Sequence, residues 1–144
     1  MINASLQDFC NRIAAAGRMT AADLRILGGE LLPDGLTTRD EADLLIALDR
    51  ALGGSVPAFA DFLVASLVDF AVWGERPTGY VNAETARWLA ASIGNGRGPT
   101  TTGARIAVEI VREAQASDET LVAFALAANR CTLESAPAEN RRAA

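Results

Sequence analysis

The stretch that decides the fold is Ala58-Phe-Ala-Asp-Phe-Leu-Val-Ala-Ser-Leu-Val-Asp-Phe-Ala-Val-Trp73. It is the longest apolar run and lies in mid-chain. No Gly or Pro interrupts it, and Phe59, Phe62, Leu63, Leu67, Phe70 and Ala71 recur at helical spacing. Pro57 suits a first turn, Ser55 offers a cap, and Gly74 can end the helix. At ~1.5 Å per residue the run is roughly 24 Å long. That is short for a bilayer span, and Asp61 and Asp69 interrupt it. Apolar residues lie on most of its circumference, so several sides should be buried. The two aspartates share one face, which either meets solvent or a helix N-terminus, or forms a polar strip within the core.

Six further helices flank it. Ser5 and Asp8 read as a capping box for a helix to Ala16, with Leu6, Phe9, Cys10 and Ile13 inward. Thr20 caps a second, to about Leu32; Gly28-Gly29 either weakens it or lets another backbone come close. After Pro33-Asp34-Gly35, a turn, Thr38 and Glu41 read as a capping box for Arg39 to Leu52. Asn82 caps a fifth helix, with Ala86, Leu89 and Ile93 inward. Thr101 or Thr102 caps a sixth, through Ile106, Val108, Ile110 and Val111. Ser117 caps a seventh, through Leu121, Val122, Phe124, Ala125 and Leu126. The expectation is an all-α bundle of about seven helices around a buried central one, a single domain over residues 1–135 with a polar, flexible tail at 136–144.

A repeat with an offset of 44 runs through the middle. It matches Gly35 with Gly79, Thr38 with Asn82, Ala42 with Ala86 and Leu45 with Leu89, then Phe62, Val64 and Leu67 with Ile106, Val108 and Val111. "Helix, Gly turn, capped helix, helix" would then occur twice and share the central helix.

Composition excludes more than it includes. There is no His, all 13 basic residues are Arg, and the net charge is −5. This removes the imidazole base, the Schiff-base and phosphate-loop Lys, and every His–metal site. Cys10 and Cys131 are far apart in sequence and read as small buried apolar groups. The arginines are scattered, which argues against nucleic acid as a partner. No leader or anchor is evident in the first twenty residues, so a cytoplasmic protein without a membrane partner is expected.

The segment from Glu30 to Leu45, with Asp34-Gly35, Thr38, Asp40 and Glu41, resembles the Asp-Gly turn, hydroxyl cap and following Glu of tellurite-resistance TerB-like helical domains. Asn95-Gly96 resembles a degraded copy of the motif. The resemblance spans about residues 20–129. It implies a compact all-α fold and acidic residues near the Asp-Gly turns that hold a divalent cation. On that basis Glu30, Asp34, Asp40 and Glu41 form a candidate site for weak Ca2+ or Mg2+ binding. Read as an EF-hand loop, Gly35 takes position 6 and Glu41 position 12, but Leu32 fills position 3 and Thr37 position 8. Turn and cap alone account for the same residues.

Two functions follow. One is a non-enzymatic interaction or stress-response module with another protein as partner. The other is a cation-binding regulatory domain built on the acidic turn. No other cofactor is implied, and no pair of carboxylates is set at a spacing that marks an enzyme. Trp73, Tyr80 and Trp88 form a candidate partner patch if exposed; the area of an indole argues instead for core packing of the two tryptophans.

Overall fold

The computed structural model describes residues 4–53 and 56–134, with side chains through residue 130. Ser55, the Cys131 side chain and the tail from residue 136, each the subject of an expectation above, lie outside the described residues. The fold is all-α. Its helices are α1 (Ala4–Ala16), α2 (Ala21–Ile26, widening into a π turn over Leu27–Leu31), α3 (Arg39–Leu52), α4 (Pro57–Val68, widening likewise over Asp69–Gly74), α5 (Ala83–Gly94), α6 (Thr101–Glu113) and α7 (Glu119–Glu134). Two short strands, β1 (Tyr80–Val81) and β2 (Ala116–Ser117), pair in parallel, Tyr80 with Ala116 and Val81 with Ser117.

The apolar run forms the central helix α4. Phe59, Leu63, Leu67, Ala71 and Val72 are almost fully buried, with α3 on one side and α6 on the other. Pro57–Gly74 is long and apolar enough to cross a membrane by length and composition; in this fold its apolar face packs on protein. Asp61 and Asp69 both face solvent, and Asp61 accepts a hydrogen bond from Arg105 Nη2 at 3.1 Å. The core-strip alternative therefore fails. Gly28 meets the ring of Phe62 rather than a backbone: a Cβ there would lie 3.4 Å from Phe62 Cε1.

The repeat is present in three dimensions. Gly35 and Gly79 both have positive φ, 78° and 84°. Each follows a π turn closed by an i to i+5 bond, Leu32 N–H to Leu27 O and Glu75 N–H to Phe70 O. Each precedes a cap: Thr38 Oγ1 accepts from Glu41 N–H, and Asn82 Oδ1 accepts from Thr85 N–H. Contacts between α3 and α5, and between α4 and α6, join residues 44 or 45 apart: Arg39 with Glu84, Asp43 with Trp88, Arg50 with Gly94, Asp61 with Arg105. Along α3 and α5 the contacts advance together, so these two helices lie side by side and parallel, and α4 meets α6 at the same offset through Asp61 and Arg105. The two copies are stacked by translation, with α4 belonging to both.

Four local expectations are corrected. Ser5 lies inside α1, which already includes Ala4. The Glu41 side chain does not close a capping box on the Thr38 amide; its Oε1 accepts from Thr37 N–H at 2.9 Å and Thr37 Oγ1 at 2.8 Å. Thr100, one residue earlier than expected, caps α6 by accepting from Gly103 N–H. Asp118 rather than Ser117 caps α7: its carboxylate accepts from Thr120 N–H, and Ser117 is held in β2. Parallel pairing of β2 with β1 carries the chain on to Asp118, whose N–H donates to Val81 O, before the helix can start. In α7 the buried stripe runs Leu121, Ala125, Ala128, which turns Leu126 out to solvent.

Candidate interaction surface

The acidic turn does not assemble a cation cage. Glu30, Asp34 and Asp40 are exposed, whereas Glu41 is buried and turned onto Thr37. Among the described residues no three Asp, Glu or Cys side chains stand close enough to hold a metal ion. The geometry of this segment is that of a Gly turn leading into a capped helix.

Trp88 belongs to the seam between α3 and α5. Its indole Nε1 donates to Asp43 Oδ1 at 2.9 Å, and Ser92 Oγ donates to the same oxygen at 2.6 Å. Phe70 meets the ring edge-on at a centroid distance of 5.9 Å, and the Arg39 guanidinium lies 5.0 Å from its centre. A cleft of about 420 Å³ opens along this seam, lined by Asp43, Arg50, Trp88 and Ser92 among others. Its polar groups are engaged with one another: Arg50 Nη2 donates to the carbonyls of Ile93 and Gly98. The cleft is a structural joint.

Trp73 has the opposite fate. It is 44% exposed at the end of the π turn that extends α4. The expectation of core packing is wrong for this ring. Trp73 lies four residues after Asp69, on the solvent-facing side that also carries Asp61 and Ala65, and its Cζ3 rests where a Cβ on Gly79 would come within 3.6 Å. Tyr80, the next residue, is 47% exposed because alternation along β1 sends Val81 into the core. Of the three rings expected to form a patch, the structure exposes Trp73 and Tyr80 and withdraws Trp88.

Trp73 closes one end of a groove of about 450 Å³ between α4 and α6. Val64, Ala65 and Val68 form its apolar floor; Asp61, Asp69, Glu109 and Glu113 stand along it, with Arg105 the single lining cation among the described residues. The charges are not spent evenly. Asp61 pairs with Arg105, and Glu109 with Arg112. Among the described residues Asp69 and Glu113 have no ion-pair partner, and both sit towards the Trp73 end. In the sequence Trp73 and Asp69 stand out separately, and nothing local marks Glu113. The offset of 44 links Asp69 to Glu113 and could have found the pair.

Cys10 is buried, and desolvation pushes its thiol up to about 11, so it is protonated and inert at neutral pH. No family model matches the sequence, no curated protein matches it, and no solved structure matches the fold.

Proposed function

We propose that the protein is a non-enzymatic interaction module that engages another protein through the groove between α4 and α6. The observation that supports this most is Trp73, a large ring left 44% exposed at the mouth of an apolar-floored groove. Exposing an indole forgoes the burial energy it would gain in the core, and rings of this kind anchor protein interfaces. Tyr80 extends the exposed aromatic surface beyond Gly79. The sequence supplies no His or Lys, and its buried thiol is protonated, so the reading rests on surface rather than on chemistry. A role as a stress-response module belongs to the same proposal.

Site-specific photo-crosslinking in cells tests it. A benzophenone side chain at position 73 or 68 should each yield the same discrete crosslinked protein, and one at exposed position 11 on α1 should not. No crosslinked protein from the groove positions, or the same products from position 11, would overturn the reading.

A further inference from the structure

The groove has chemistry specific enough to name its occupant. Resting on the interaction reading above, we infer that it takes a basic amphipathic helix from a partner protein, with an arginine held between Asp69 and Glu113 against Trp73. Three features converge. The floor is apolar and flanked by two parallel helices, which suits the apolar stripe of a third helix laid along them. From Asp61 to Trp73 the wall spans about twelve residues, roughly 18 Å, enough for about three turns. The lining charge is four carboxylates against one guanidinium.

The distribution of that charge orients the occupant. The Asp61 end is neutralised by Arg105, which bonds across the groove at 3.1 Å. Asp69 and Glu113, which have no ion-pair partner among the described residues, line the groove together with the half-exposed Trp73. A guanidinium satisfies all three at once: its planar fork donates to carboxylates and its face stacks on the ring. An ammonium could pair with the acids but would lose the stacking geometry. An acidic or neutral helix would leave Asp69 and Glu113 partly desolvated without partners.

Synthetic peptides of about fourteen residues, titrated into the 15N-labelled full chain, test this. One carries Leu at i, i+3, i+4 and i+7 with Arg elsewhere; a second has the same composition scrambled out of helical register; a third has Glu in place of Arg. The two indole N–H signals serve as reporter and control, because Trp73 lines the groove and Trp88 is locked to Asp43. The expected result is saturable binding of the first peptide, with the Trp73 signal shifting and that of Trp88 unmoved. The paired substitution Asp69→Asn with Glu113→Gln, at exposed positions, should weaken binding about tenfold, and raising the salt should do the same. The scrambled and acidic peptides should bind at least about tenfold more weakly. Equal binding of the scrambled peptide would reduce the effect to net charge and overturn the inference, as would equal binding of the acidic one. If the first peptide fails to bind while photo-crosslinking from position 73 captures a protein, this inference is wrong and the interaction reading stands. If it binds while crosslinking captures nothing, the groove accepts a basic helix that no partner supplies, and the interaction reading falls and this inference with it.

Discussion

Arg39 grips Glu75 across the join between the two repeats, with Nε at 2.8 Å from one carboxylate oxygen and Nη2 at 3.1 Å from the other. The same guanidinium donates to Glu84 and to the buried Thr85 hydroxyl, and it lies over the Trp88 ring. One side chain from the start of α3 thus ties together the turn after α4, the first turn of α5 and the seam aromatic. The hydrogen bond to the Glu75 carboxylate raises the pKa of Arg39 above its ordinary value.

A lysine cannot replace that fork. Arg39→Lys keeps the charge but loses the two-point contact and the stacking. It should cost about 1–2 kcal/mol in denaturant unfolding, and a double-mutant cycle with Glu75→Gln should show coupling near 1 kcal/mol. An Arg39→Lys variant as stable as the wild type would show the contact to be incidental.

Thr100 has two roles. Its hydroxyl caps α6 and donates to the buried carboxylate of Asp49 at 2.6 Å. Thr100→Ala should therefore cost more than a simple cap, about 2–4 kcal/mol. Thr100→Ser should recover most of it, and Thr101→Ala should be nearly silent because Thr101 is exposed. Thermal melts of the three variants decide which threonine is the cap.

Two capping carboxylates make stability depend on pH. The Thr20 amide holds the Asp23 carboxyl below its usual range, and the Thr120 amide does the same for Asp118. A carboxyl with a depressed folded pKa stabilises the native state fully above the ordinary value of about 4, and this contribution is lost as pH falls through the folded value. Stability should decline below about pH 4. Asp23→Asn and Asp118→Asn should each flatten that decline, because Asn accepts the bond but does not titrate. Unchanged acid sensitivity in both variants would contradict the assignment.

The acidic turn should ignore cations. Glu41 is committed to Thr37, and Glu30, Asp34 and Asp40 do not converge on one point. Millimolar calcium should leave the melting temperature unchanged. A rise abolished by Glu41→Gln and by Asp34→Asn would restore the cation reading.

Most of the scaffold was legible because it is written in local punctuation. Gly35 and Gly79 mark left-handed turns, Thr38 and Asn82 mark helix starts, and the apolar spacing of Leu63 and Leu67 marks the buried face of α4. Caps failed where a tertiary bond chose between neighbouring candidates. Thr100 is preferred to Thr101 because it also reaches Asp49. Ser117 lost the cap to Asp118 because strand pairing holds it, and its hydroxyl is buried without a hydrogen-bond partner among the described residues. The groove was not legible at all. Asp69 and Glu113 become one feature only when the repeat is known to stack its copies in parallel, and no local rule carries that information. Trp73 was misjudged because ring area argues for burial, whereas its spacing of four from Asp69 puts it on the exposed side of the helix with Asp61 and Ala65.

The central claim is that the two tryptophans have opposite roles, Trp88 locked in the seam and Trp73 free at the groove. Hydrogen exchange of the two indole N–H groups, assigned with Trp73→Phe, tests it most directly. The account predicts one indole exchanging at close to the free rate and belonging to Trp73, and the other, bonded to Asp43, slowed by at least about tenfold. Protection of both indoles, or a slow Trp73 beside a fast Trp88, would contradict it.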